Sequence, residues 1–214
     1  MKITVFSLLA MVASLSASAA DWGVTAGAGF ASIANDECDA VVGYNVGAKV
    51  NFDLSENLFV EGSGLLQHQG FSYTPHTSIL GISLTSEKTY DYDLYYMALP
   101  VNVGWKFKCT DKFSIAPKLG LTFGFGLFGD ESDLDCDPFA DREEESRVSA
   151  FGFTTASALN NFNRFDVGFN LGANFNIASH FQVGAQFTLG MSDIADDIKD
   201  SKDRLFNANF TYFF

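Results

Sequence analysis

Residues 124–129, Gly-Phe-Gly-Leu-Phe-Gly, have the G-x-G-x-x-G spacing of a dinucleotide-binding turn. That turn works between a strand and a helix, where free helix amides meet a pyrophosphate. Here the stretch closes an alternating segment and runs into Asp-Glu-Ser-Asp-Leu-Asp-Cys-Asp, which carries no helix signal. Gly124 and Gly126 therefore read as small positions on one face of a strand, and no cofactor is expected. Just beyond, Asp133, Asp135, Asp137, Asp141 and Glu144 stand at positions 1, 3, 5, 9 and 12 of a calcium-loop register. Position 6 of such a loop is Gly, for its sharp turn; here it is Pro138, and flanking helices are missing. The stretch reads as a solvated acidic loop without a dedicated metal site.

Nucleophilic catalysis needs a nucleophile, a base and a group that orients the base. Of the three histidines, His76 falls in a polar loop and His180 in a short turn, while His68 has Ser72 four residues on. No neighbour in the sequence orients His68, so it reads as an interfacial side chain and no catalytic residue is assigned. Three cysteines, Cys38, Cys109 and Cys136, complete the reactive set, and what they can do depends on where the elements place them.

Those elements are strands. In 163–177 the odd positions are Phe165, Val167, Phe169, Leu171, Ala173, Phe175 and Ile177. The even ones are Arg164, Asp166, Gly168, Asn170, Gly172, Asn174 and Asn176, the period-two pattern of a strand with one apolar face. The same test predicts eight strands, near 22–31, 42–54, 58–72, 89–107, 113–128, 163–177, 181–192 and 203–214. Strand 58–72 is the least regular, because Leu65 falls on its polar face. Connections at 55–57, 108–112 and 178–180 are short; those at 32–41, 74–88, 129–162 and 193–202 are long, polar and acidic. Short turns at one end and long loops at the other describe an up-and-down meander. Cys38 and Cys136 share the long-loop end, and Cys109 sits at the opposite end, tens of ångströms away by strand rise. Only Cys38 and Cys136 can meet, as a disulfide or as separate thiols.

The two faces decide which way the barrel is turned. The polar face is rich in glycine, and its charges are few: Lys49, Glu61, Lys106, Lys118, Arg164 and Asp166. Glu61 is expected to offset Lys49, and Arg164 to pair with Asp166, inside a packed polar lumen. The other face carries Phe, Leu and Val in nearly every register, from a total of 23 Phe. An eight-stranded barrel has interior space only for its own side chains, so that many rings must face outward, where only lipid favours them. Outward aromatics cluster at both ends, with Trp22, Phe52, Trp105, Phe107, Phe113, Phe175, Phe181, Tyr212 and Phe214 at the short-turn end. Phe30, Tyr44, Tyr95, Phe125, Phe165 and Phe206 lie towards the other. Two such belts mark the lipid–water interfaces. The predicted fold is all-β, an eight-stranded antiparallel up-and-down transmembrane β-barrel.

Residues 1–20 read as a cleaved secretory signal peptide, with Lys2, an apolar run over 3–15 and Ala17-Ser18-Ala19 before the cut, leaving 21–214 as the barrel domain. The formal net charge of −13 argues against nucleic acid, whose phosphates need clustered Lys and Arg.

The stretches YYMALPVNVGWKF, NRFDVGFNLGANF, GMSDI and the ending RLFNANFTYFF resemble the small, porin-like outer-membrane β-barrel domain family of Gram-negative bacteria. The resemblance implies an outer-membrane location and insertion by the barrel-assembly machinery, which would read the last strand through Phe210, Tyr212 and Phe214. Both termini are then expected in the periplasm and the long loops outside, where outer-membrane lipid, lipopolysaccharide and divalent cations shared with the acidic loops are the expected partners. The function expected is structural or surface-interacting and non-enzymatic, with a plugged lumen. A narrow pore for small solutes or ions and a lipid-A-modifying enzyme are the alternatives.

Overall fold

Period-two alternation is realised as strands throughout. The computed structural model describes residues 20–33, 38–73, 76–79, 82–85, 88–110, 112–135, 148–149, 165–192 and 202–214. In chain order the strands are β1 (Ala20–Ile33), β2 (Cys38–Asp53), β3 (Leu58–Tyr73), β4 (His76–Ile79), β5 (Ile82–Thr85) and β6 (Lys88–Trp105). They continue as β7 (Phe107–Thr110), β8 (Phe113–Asp135), β9 (Val148–Ser149), β10 (Phe165–Ile177), β11 (Phe181–Gly190) and β12 (Asp203–Phe213). β1, β2, β3, β6, β8, β10, β11 and β12 form the wall, each antiparallel to its neighbours. β12 returns to pair with β1 from Gly23↔Phe213 to Ile33↔Asp203, so the sheet closes and no wall edge is left unpaired. The expected eight-stranded barrel is what forms.

The short strands are where the structure departs from expectation. β4 and β5 make a small hairpin inside the segment read as a polar loop, and β7 resumes β6 past Lys106. β8 runs on to Asp135 instead of ending near 128, and its last residues stay in the ladder, with Lys88↔Asp135 and Tyr90↔Asp133. Positions 1 and 3 of the calcium-loop register therefore lie in extended backbone, which cannot wrap an ion. Residues 137–144 lie outside the described residues.

The G-x-G-x-x-G spacing also finds its cause in β8. Tyr95 pairs with Phe128 but Tyr96 pairs with Gly126, so Leu127 is the extra residue of a β-bulge. Leu127 and Phe128 both face outward, at 43% and 54% exposure, while Gly124, Gly126 and Gly129 are all buried on the lumen side. The bulge shifts the alternation by one residue, and the third glycine follows it. At Gly104 a side chain would enter the Phe59 ring, which lies across the lumen there and is buried.

Burial is inverted relative to a water-soluble protein. Trp22, Phe30, Leu66, Trp105, Phe125, Leu171, Phe187 and Phe210 are among the exposed large apolar residues, whereas Asn45, Lys49, Glu61, Gln67, Asn102, Lys118, Asn170 and Gln182 are buried. Only an apolar solvent makes that arrangement favourable. Leu65 lies inside, as its parity required, and Phe213 is buried at the short-turn end.

Candidate functional site

The barrel gathers its ionisable groups by register. Glu61 faces the lumen from the middle of β3, and 1% of it is exposed. Its Oε1 accepts from Lys118 Nζ of β8 at 2.5 Å and from Asn102 Nδ2 of β6 at 3.3 Å. Its Oε2 accepts from Asn174 Nδ2 of β10 at 2.7 Å and lies 3.4 Å from Lys49 Nζ of β2. Lys49 Nζ also donates to Gln182 Oε1 of β11 at 2.9 Å. Lys49 and Lys118 are 4% and 5% exposed. The carboxylate thus joins five strands directly and Lys49 adds β11 as a sixth, and every contact is charged or charge-assisted. The expected Glu61–Lys49 pair is present, but the shorter contact is to Lys118. Asn170 extends the network, donating to Asn102 Oδ1 at 3.1 Å and accepting from Thr122 and Thr188 hydroxyls at 2.8 and 3.0 Å.

The other lumen charges lie apart. Lys106 sits at the short-turn rim, paired with Asp53 at 2.5 Å and placed over the Phe59 ring at 5.5 Å from its centroid. Asp166 accepts from Ser192 Oγ at 2.6 Å, and its expected partner Arg164 lies outside the described residues. Asp203 belongs to the lumen set although the sequence reading did not place it there; it is buried, and Gln69 Nε2 donates to its Oδ2 at 3.4 Å. The alternation Asp203, Leu205, Asn207, Asn209, Thr211 was the available signal. Cys109 is a free, exposed thiol in β7; Cys136 and the side chain of Cys38 lie outside the described residues.

The outer membrane protein beta-barrel domain family matches residues 4–214. This chain belongs to that family. Membership places it in the bacterial outer membrane. Among solved structures, Ail, the attachment invasion locus protein of Yersinia pestis, is 15% identical with a TM-score of 0.44, over 91% of this chain and 98% of that one. Neisserial surface protein A is 11% identical with a TM-score of 0.46, over 90% and 97%. The N-terminal β-barrel domain of Pseudomonas aeruginosa OprF is 8% identical with a TM-score of 0.37, over 92% and 98%. No curated protein matches the chain in sequence.

On this outer-membrane barrel His68 stands on the lipid-facing side, towards the long-loop end. The expectation that nothing orients it is corrected: its Nε2–H donates to Asp93 Oδ1 at 3.0 Å. The register explains the miss, since Gly70 pairs with Asp93 and brings the carboxylate of β6 beside a histidine 25 residues earlier. His68 stacks on Tyr44 with ring centroids 4.8 Å apart and meets Tyr95 at 4.9 Å, while Tyr44 and Tyr95 join through their hydroxyls at 3.1 Å. Its remaining ring nitrogen, Nδ1, is buried without a partner among the described residues. A base must reach the proton it removes, and this nitrogen is enclosed. The closing strand carries Phe210, Tyr212 and Phe214 outward, where Phe181 packs 5.9 Å from Phe210 and 5.5 Å from Tyr212. His180 Nδ1–H donates to the Phe213 carbonyl at 3.0 Å, so the short turn anchors the last strand.

Proposed function

We propose that the protein is a structural or surface-interacting barrel of the outer membrane, neither enzyme nor open porin. The observation that carries this is the Glu61 network, which spans the lumen from β2, β3, β6, β8, β10 and β11 with all three charges buried. Phe59 and Phe213 fill the barrel towards the short-turn end, and Leu94 and Tyr96 towards the other. Eight strands leave interior room for side chains and little else. A plugged lumen moves the working surface to the long acidic connections at 32–41, 74–88, 129–162 and 193–202.

In this reading the leader of residues 1–20 is removed, both termini and the short turns face the periplasm, and the acidic loops face outward. There they meet lipopolysaccharide and share divalent cations with its phosphates. The assembly machinery recognises the last strand through Phe210, Tyr212 and Phe214. Planar-bilayer recording of the purified barrel tests the plug. No resolvable steps are expected; steps of several hundred picosiemens would move the assignment to a narrow pore.

A further inference from the structure

A cavity of about 30 Å3 lies against the Glu61 network, and its walls include Lys49, Glu61, Lys118, Ser63, Asn207 and Asn209. Charge along these walls does not balance. Two ammonium groups face one carboxylate, and all three residues are at most 5% exposed. Glu61 is already saturated, with Lys118 and Asn102 on one oxygen and Asn174 and Lys49 on the other. Among the described residues Glu61 is the only partner of Lys118 Nζ, which has three hydrogens to donate. Among the described residues no second carboxylate lines the cavity; Asp166 and Asp203 are engaged by Ser192 and Gln69. A buried cation without a matching counter-charge is costly.

The neighbouring walls also hold uncommitted polar atoms. Among the described residues Asn45, which is 2% exposed, holds a buried Nδ2 donor without a partner, whereas the unpartnered Asn209 Oδ1 is an acceptor that an anion does not satisfy. Asn45 and Asn209 flank Gly27 as its strand partners, so this side of the lumen has one spare amide donor, on Asn45. The volume admits one or two bodies the size of a water molecule, too little for a phosphate ester or an organic acid.

We infer that this cavity binds one small inorganic anion, chloride in a chloride medium, held by Lys118 and Lys49 with hydroxyl and amide hydrogens of Ser63 and Asn207 completing its shell. The anion supplies the second negative charge that the two lysines require. It is a resident ion of the lumen, and the site stands whether or not the barrel conducts.

Thermal unfolding of the full barrel in detergent micelles tests this, comparing sodium chloride with sodium gluconate at equal ionic strength, because gluconate is too large to enter. Chloride at tenfold excess over its dissociation constant should raise Tm by roughly 3–6 °C, and Lys118→Met should abolish the difference. Equal Tm values in the two salts, or a chloride effect that persists in Lys118→Met, would overturn the site. Should that variant fail to fold, chlorine-35 NMR of the wild-type barrel decides: broadening that bromide competes away supports the site, and an unbroadened line refutes it.

Discussion

Replacing Glu61 by Gln keeps the side-chain shape and removes the only carboxylate, among the described residues, within reach of Lys49 and Lys118. The amide oxygen can still accept one ammonium hydrogen, but the amide nitrogen then faces a lysine and an asparagine donor, Lys118 and Asn102 in one orientation or Lys49 and Asn174 in the other. Two cations are left in a lumen that shields both from water. Breaking one partner of a buried ion pair costs roughly 3–5 kcal/mol, and the retained hydrogen bond puts Glu61→Gln near 3 kcal/mol. With urea slopes of roughly 1–3 kcal/mol/M, the unfolding midpoint should fall by about 1–3 M. The assay is urea titration of the barrel folded into lipid vesicles, followed by the fluorescence of Trp22 and Trp105, which face outward and leave lipid on unfolding. The variant Lys49→Met/Glu61→Leu/Lys118→Met separates charge from shape: with no ion left unpaired it should recover most of the loss. A Glu61→Gln loss below about 1 kcal/mol would refute the view that this carboxylate holds the lumen together.

Gly104→Leu should cost roughly 1–3 kcal/mol by overpacking, because the new side chain meets the Phe59 ring and the Pro117 carbonyl; Phe59→Ala in the same chain should restore part of it in the same titration. His68→Ala removes ring contacts to Tyr44 and Tyr95, each worth about 0.5–1.5 kcal/mol, and a midpoint unchanged within error would show the belt cluster to be incidental. Deleting Phe214, which packs edge-on against Tyr212 at 5.8 Å, should lower the amount of barrel recovered in outer-membrane fractions; undiminished levels would remove the terminal aromatic from the assembly signal.

What could be read from the sequence was whatever depends on parity alone. The alternation in 163–177 places Phe165, Phe169 and Leu171 outward and Asn170 and Asn174 inward, and each is found there. The same rule put Leu65 inside before any partner was known. What could not be read depends on level, meaning which residues of separate strands share a height in the barrel. Lys118 lies 57 residues from Glu61 and Asp93 lies 25 from His68, and neither pairing has a local signature. Parity itself fails at a bulge: Leu127 adds one residue, so Phe128 turns outward and Gly129 inward against the run of β8. Asp203 was missed for a different reason, since it starts its strand and its parity is clear only by counting back from Thr211.

The distribution of the polar core bears on how such a barrel can close. A one-residue slip in any wall strand would exchange its lumen face for its lipid face, and for β3 that would carry Glu61 into lipid. Register is therefore most strongly held in the six strands that share the charge network. β1 and β12 stand outside it; between them Thr211 donates to Thr25 at 2.9 Å and Thr25 to the Phe210 carbonyl at 3.2 Å, and β12 reaches β3 through the longer Gln69–Asp203 contact. Their seam rests on a backbone ladder from Gly23↔Phe213 to Ile33↔Asp203, with Gly23, Gly27 and Gly29 letting the two backbones approach. None of the direct partners of Glu61 stands on β1 or β12, but the Lys49–Gln182 bond from β2 to β11 lies across that seam. The network therefore helps to hold a seam it has no residue in, since Lys49 on β2 reaches past β1 and β12 to Gln182 on β11.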